Sequence, residues 1–248
     1  MKKIILTLSI ISLIPSIALA NESKSGVYVS AKMGASIQQM KGQFYPTFYT
    51  LEIGGDEVTF EKKLKGDNHR TAVFGAGLTL GYDFYEKFNL PVRTELDFTS
   101  RAKADYNYSG YDENFFPGNT TVKNKIELNT LMLNAYYDFK NSTDFTPYLS
   151  AGLGYAYISQ KTSNIFKINV NSLTIPLWSR SHATNNFAWS AGTGIKYSIN
   201  QDFSFDLSYK YLDAGQAEVY HFDSIGTEFN SKTKVRTHDI MLSATYHF

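Results

Sequence analysis

Apolar and polar residues alternate with a period of two in eight stretches of this chain. In the last, Val235 to Phe248, the apolar residues Ile240, Leu242, Ala244, Tyr246 and Phe248 share one parity, and Met241, Ser243, Thr245 and His247 fill the other. Successive side chains of a strand point to opposite faces, so such a stretch has one greasy face and one polar face. The first stretch, Gly26 to Ile37, sets Val27, Val29, Ala31, Met33, Ala35 and Ile37 against Tyr28, Ser30, Lys32, Gly34 and Ser36. The second covers Thr71 to Phe84, and the third Leu90 to Arg101. There Leu90, Val92, Leu96 and Phe98 oppose Arg93, Glu95, Asp97, Thr99 and Arg101. The fourth ends at Phe139. The fifth is Phe145 to Tyr157, the sixth Phe187 to Ile199, and the seventh holds Phe203 to Tyr211. Pro91 and Pro147 sit at strand starts, where a missing N–H is tolerated.

The connections alternate in length. Tyr85 to Asn89, Lys140 to Asp144 and Asn200–Gln201 are short, whereas 38–70, 102–124, 158–186 and 213–234 are long and polar. The pattern predicts an all-β fold: an eight-stranded antiparallel transmembrane up-and-down β-barrel with four long extracellular loops and three short periplasmic turns. A lipocalin-type soluble barrel shares the strand number but is apolar inside and polar outside. Here the alternate face carries Lys32, Arg93, Glu95, Asp97, Arg101, Lys196, Asp206, Lys210 and Asp239, five cations and four carboxylates. Their near balance reads as an ion-pair network, because charges in a narrow lumen must pair or pay heavily for lost hydration. An eight-stranded barrel is just wide enough for its side chains to fill, which rules out a wide metabolite pore and leaves at most a small conductance. Inward glycines at positions 75, 77, 81, 152, 154, 192 and 194 leave room for large side chains from facing strands.

The first 20 residues form a leader. Lys2 and Lys3 begin it, Ile4 to Ile17 form a short apolar run, and Ala18-Leu19-Ala20 is a small-residue cleavage site, so the mature domain is expected at 21–248. The run is short for a retained membrane helix. No cysteine is present, so neither a lipoprotein anchor nor a disulfide framework is available. The 24 basic residues fall to 22 once Lys2 and Lys3 are removed, against 23 acidic ones, and nothing in that balance calls for nucleic acid. Eighteen Tyr and 18 Phe supply the aromatics that membrane-interface girdles require.

No nucleophile elbow, Walker loop, Cys-based metal spacing or zinc-protease motif occurs, so no catalytic residue, metal site or cofactor is expected. His238 and Asp239 are adjacent, hence on opposite faces of a strand and unable to pair. The long loops are the better sites, because binding residues concentrate on loops held by a rigid scaffold. Phe44, Tyr45, Phe48 and Tyr49 in the first loop are contact candidates. So are Tyr106, Tyr108, Tyr111, Phe115 and Phe116 in the second, and Trp178 in the third. The equal alternative is that these aromatics extend the wall or pack the loops together. Loop charge is mixed, so no single-sign partner follows.

The stretches Leu90 to Phe98 (L-P-V-R-T-E-L-D-F) and Thr146 to Tyr157 (T-P-Y-L-S-A-G-L-G-Y-A-Y), with the terminal Y-H-F, carry a resemblance. With them the chain resembles the opacity-type porin family, Opa-like adhesin barrels of Gram-negative bacteria, and is similar to the wider group that includes the transmembrane part of OmpA. The resemblance implies outer-membrane location, a porin label, and adhesion to a host-surface protein or glycan through the loops. Outer-membrane lipid and lipopolysaccharide would surround the wall. Tyr246 and Phe248 resemble the terminal signal read by the barrel-assembly machinery. Two functions follow: a surface adhesin working through its loops, or a small-conductance porin or structural barrel.

Overall fold

The computed structural model describes residues 25–53, 55–65, 68–112, 118–168, 174–222 and 228–248. The leader at 1–20 lies outside them, as do Phe115 and Phe116. Nine strands are described in chain order: β1 (Val27–Ile53), β2 (Asp56–Lys65), β3 (His69–Asp83), β4 (Val92–Asp112), β5 (Gly118–Asp138), β6 (Phe145–Ile168), β7 (Thr174–Ser198), β8 (Phe203–Phe222) and β9 (Glu228–His247). Between β3 and β4, α1 (Tyr85–Phe88) makes one turn that ends at Asn89 in the left-handed region (φ 54°). All strand pairs are antiparallel, in the order β2-β1-β3-β4-β5-β6-β7-β8-β9, and β1 also pairs with β9. That pairing closes a ring of eight, with β2 folded back on the upper part of β1. At the seam Tyr28 stands opposite His247 and Met40 opposite Val235. The Phe248 amide donates to the Val27 carbonyl at 2.9 Å. In hydrocarbon an open edge would leave a row of backbone groups without partners, so this closure is obligatory.

The exterior of the lower half is apolar. Leu78 (61% exposed), Leu133 (63%) and Phe187 (63%) belong to a continuous belt that no soluble protein would show to water. Aromatic pairs border it. Tyr137 and Phe139 (5.2 Å between ring centres), Phe145 and Tyr197 (4.8 Å) and Phe203 and Tyr246 (5.0 Å) lie at the short-turn end, and Trp189 and Tyr211 (5.5 Å) at the other. Such girdles sit at the two membrane interfaces. Among the described residues no helix is long and apolar enough to cross a membrane; the crossing is made by strands.

The segments read as long loops are largely strand. A tilted strand crosses the bilayer in about 9–11 residues, yet β6 has 24 residues and β7 has 25. Their ladder continues from Phe145↔Tyr197 to Lys167↔Thr174. Hydrophobic alternation ends at the membrane surface because the solvent changes there, although the backbone pairing does not.

Above the girdle the ring splits. The β3–β4 ladder stops at Gly75↔Arg101 and the β7–β8 ladder at Trp189↔Asp213, while β4–β5, β5–β6, β6–β7, β8–β9 and β1–β9 run on. Two walls result, β4 to β7 facing β8, β9 and β1. Register shifts occur in β4 between Arg101 and Ala104 and in β8 between Asp213 and Gln216, close to where the pairings stop. Gly215, at φ +80°, makes the second of these possible. The Asn186 amide seals the base of the β7–β8 seam by donating to the carbonyls of Ala214 (3.1 Å) and Gln216 (2.8 Å).

Inward glycines receive facing side chains. Tyr28 lies directly across from Gly81, where an added Cβ would fall 2.2 Å from the tyrosine ring, and Tyr148 stands likewise over Gly194. Tyr28 is fully buried and donates to Glu95, so it has no free space to swing into. Gly81→Ala should cost about 1–3 kcal/mol by overpacking. A lower thermal midpoint of the folded, heat-modifiable form on unboiled gels is the readout; an unchanged midpoint would contradict this packing.

Candidate functional site

Strand β4 is the spine of the lumen. Its inward residues Arg93, Glu95, Asp97, Thr99 and Arg101 recur at every second position, about 6.7 Å apart, and each meets side chains from other strands. Asp97 is almost wholly buried and holds Lys32 from β1 and Lys210 from β8, the latter at 2.9 Å. Thr99 Oγ1 (2.7 Å) and Asn134 Nδ2 (3.2 Å) donate to the same carboxylate. Arg101 pairs with Asp239 and donates to Thr130 Oγ1 at 3.2 Å, while Ser36 also donates to Asp239. Glu95 accepts from Tyr28 (2.8 Å) and Tyr136 (2.5 Å) and lies 3.8 Å from Arg93. Asp206 accepts from Tyr148 at 2.8 Å, where the sequence pointed only to ion pairing.

Sequence reasoning left two carboxylates out of this count. Asp83 and Asp138 are inward by parity and buried, but they stand at strand ends. Arg93 Nε and Nη2 grip Asp138 at 2.9–3.1 Å, and Lys196 lies 3.7 Å from Asp83 and 3.8 Å from Asp138. With them the lumen holds five cations against six carboxylates, and Lys140 at the periplasmic mouth supplies a sixth cation 3.8–3.9 Å from both. The lumen tyrosines were also missed as network members. Arg93 stacks over the rings of Tyr136 (4.7 Å) and Tyr148 (5.1 Å). The signal was present: Tyr28 and Tyr136 share the parity of the charges.

Within this network a cavity of about 40 Å³ is lined by Lys32, Glu95, Tyr136, Asp206 and Lys210 among others. That is room for about three waters. Toward the extracellular side the interior changes character. Met40, Val235 and Leu212 from one wall pack against Tyr106, Ile126, Leu128 and Ile158 from the other, all at most 1% exposed. The exterior inverts at the same level, where Lys103 pairs with Glu127 (3.5 Å) and Lys125 with Asp105 (3.4 Å) on the solvent side. Below the surface the barrel is apolar outside and charged inside; above it the order is reversed.

The loop candidates divide. Tyr106 is not a contact residue: the register shift after Arg101 turns it inward, and it is 1% exposed against His69 at 5.3 Å. Trp178 is half-buried on β7 opposite Asn164. Phe44, Tyr45, Phe48 and Tyr49 lie on the upper part of β1, and Tyr108 and Tyr111 on β4; their side chains, like Phe115 and Phe116 altogether, fall outside the described residues. Tyr246 pairs with Val29 and Phe203, and its ring meets Phe248 at 5.0 Å. His238 points outward to Tyr209 (2.7 Å), away from the inward Asp239. Among the described residues no three His, Cys, Asp or Glu converge as a metal-ligand set. On the extracellular part of β8, the Tyr220 hydroxyl, with Lys232 behind it, holds the Glu218 carboxyl below its ordinary range.

Removing one partner of a buried ion pair strands the other and costs about 3–5 kcal/mol, whereas an exposed pair is worth about 0–1 kcal/mol. Asp97→Asn should therefore lower the barrel's thermal midpoint most. Lys210→Ala should lower it less, since Lys32 remains on Asp97, and Lys125→Ala should leave it near wild type. Equal midpoints for the three variants, measured by heat modifiability, would refute the network's structural weight.

A family model described as "Outer membrane protein beta-barrel domain" matches residues 5–248. Outer membrane protein PagN of Salmonella typhimurium is 38% identical over 247 residues, covering 96% of this chain and 97% of that protein. A Rickettsia conorii protein named as a candidate adhesin is 26% identical over 159 residues, 64% of this chain and 59% of its own length. Among solved structures, outer membrane protein OprG of Pseudomonas aeruginosa superposes with a TM-score of 0.50 at 14% identity, over 91% of this chain and 98% of that one, a likeness of fold alone. The lipid-facing belt, the closed ring of eight strands and the match along almost the whole sequence place this chain in the outer membrane β-barrel protein family, in the outer membrane.

Proposed function

We propose that this barrel is a surface attachment protein whose contacts are made by its extracellular walls and strand tips, and that its lumen serves stability. The observation that carries the reading is the upper half of the molecule. Strands rise well beyond what a bilayer needs and enclose their own apolar core, with Ile126 and Ile158 fully buried. A chain that only had to span would have no use for that core. The related Rickettsia protein named as a candidate adhesin agrees with this reading. So does the lumen, where among the described residues the carboxylates are held by cations, tyrosines or amides. Delivery through removal of residues 1–20, insertion by the barrel-assembly machinery using Tyr246 and Phe248, and contact with lipopolysaccharide around the wall belong to the same proposal.

A small-conductance porin is the second reading, favoured by the lumen's charges. The apolar layer of Met40, Leu128, Ile126 and Val235 stands against it, because an ion entering that layer would lose most of its hydration with only neutral side chains such as Gln38 and Thr237 beside it.

Two measurements test the pair. Residues 45–64 and 110–120 are each replaced by Asn-Gly, joining Phe44 to Lys65 and Ser109 to Thr121, which are cross-strand partners. Cells displaying the shortened barrel should lose most of their adherence to host cells while the barrel stays heat-modifiable; full adherence would sink the attachment reading. Purified wild-type barrel in planar bilayers should pass no discrete current steps. Regular steps would restore the porin reading.

A further inference from the structure

The outward faces of β3, β1 and β9 turn from apolar to basic over a short rise. On β3 the exposed Phe74 is followed outward by Ala72 and then Arg70. On β1, Ala35 and Ile37 are succeeded by Gln39 and Lys41. On β9 the exposed Leu242 and Ile240 give way to His238, Arg236 and Lys234. The three strands are neighbours, and their register gathers the cations. Gln39 pairs with Arg70 on one side and Arg236 on the other, and Lys41 stands directly opposite Lys234. At strand spacing the four cations fall within a patch about 10 Å across. Gln39 faces outward yet is only 8% exposed, because the longer side chains around it lie against it. Carboxylates are scarce here. Asp213 holds Arg236 at 2.8 Å, and Glu218 holds Lys232 further up. Among the described residues, no carboxylate lies within ion-pair distance of Arg70, Lys41 or Lys234. Like charges directly opposite across a ladder are destabilising, so Lys41 and Lys234 together call for an anion.

We propose that Arg70, Lys41 and Lys234, with Arg236 beside them, seat a phosphate of an outer-leaflet lipid, the phosphorylated sugar headgroup of lipopolysaccharide. Level selects this occupant. Arg70, Lys41 and Arg236 each lie four residues beyond a large outward apolar side chain, Phe74, Ile37 and Ile240 respectively. Four residues of a tilted strand rise by roughly 10 Å, which sets the cations in the headgroup layer. Arginine forks match two phosphate oxygens, and the lysines add point charge. The acyl chains of the same lipid would run down the wall beneath, over Ile37, Ala35 and Met33. A soluble polyanion would meet the charge but leave that wall unused. The seat also spans the closing seam, because β1 and β9 are the first and last strands of the ring. A lipid bound there favours the closed barrel over any open form.

Such a seat gives the proposed lipopolysaccharide contact a place, and it rests on that contact rather than on adherence. The purified full-length barrel, in detergent with EDTA, is titrated with lipid A, with lipid A stripped of its phosphates, and with inorganic phosphate. Native mass spectrometry reads binding, and the thermal midpoint of the heat-modifiable form reads its effect. Lipid A should bind and raise the midpoint, and the stripped lipid should bind at least tenfold more weakly. Arg70→Gln with Lys41→Gln and Lys234→Gln should weaken lipid A binding at least tenfold. Lys123→Gln with Lys161→Gln, exposed cations of the opposite wall, should leave it unchanged. Wild-type affinity in the triple variant, or equal loss in the double variant, would overturn the site and leave the lipid contact elsewhere or diffuse. Equal binding of the two lipids by the wild type, a comparison that needs no variant, would leave acyl contact only. Competition by inorganic phosphate at the concentration of lipid A would leave a surface for soluble anions only. No binding of lipid A would overturn the seat and the lipopolysaccharide contact together, with the adherence result untouched.

Discussion

Everything in this molecule follows from one constraint: in hydrocarbon, no backbone group and no charge can be left to water. The backbone meets it by closing β9 against β1, so that every strand in the membrane has two neighbours. The charges meet it by facing inward, where β4 offers Arg93, Glu95, Asp97 and Arg101 at alternate positions and the other strands bring their complements. The two solutions are linked. A register slip of one residue would place Asp97 in lipid and Leu96 in the lumen, so the charges fix the register that closure needs.

Above the membrane the constraint reverses, and so does the chain. Once the exterior is water, apolar residues gain by turning inward at roughly 25 cal/mol for each Å² of apolar surface buried. Polar outward neighbours such as Lys103 and Glu127 then cost little. On β5 and β6 the inward parity is unbroken and only the residue types change, as from Asn134 to Ile126 and from Gly152 to Ile158; β4 and β8 also step by one residue. On β4 the inward parity runs through Arg101 and then resumes one residue out of step at Ala104 and Tyr106. On β8 it runs through Leu212 and Ala214 and resumes at Ala217 and Val219. Each shift lies near the level at which a ladder ends, and the ring opens into two walls that bury a core between them. That core is what narrows the lumen: a charged interior alone would admit water, while the packed layer above it, apolar apart from neutral groups such as Gln38 and Thr237, leaves little room for it.

What the sequence discloses about this fold depends on which solvent each segment faces. The eight membrane-crossing stripes are legible because lipid outside and charge inside impose strict alternation, as in Leu90 to Arg101. The placement of Lys32, Arg93, Glu95, Asp97, Arg101, Lys196, Asp206, Lys210 and Asp239 in one lumen follows from parity alone. Asp138 follows the same parity, but its partner Arg93 comes from a neighbouring strand and its role shows only in three dimensions. The strands above the girdle are hidden for a different reason. Serines, threonines and asparagines in β6 and β7 satisfy a ladder as well as they satisfy a loop, and no apolar face marks the outside. Tyr106 lay in a stretch dense with aromatics and Gly, where composition points to a contact surface. Its burial depends on a register shift that has no single-residue signature.

The seams show how the two halves trade against each other. A barrel continued to its tips would have no free edges, yet it would also enclose a wide empty interior once the lumen charges gave way to smaller apolar side chains. Opening the ring at β3–β4 and β7–β8 lets the walls approach until Ile126, Ile158 and Val235 fill the space. The open edges are closed by other means where they start. His69 packs edge-on against Tyr106 at one seam, and Asn186 caps the carbonyls of β8 at the other. Further up β7 the exposed strand carries Arg180 and His182, with no carboxylate anywhere on its hairpin.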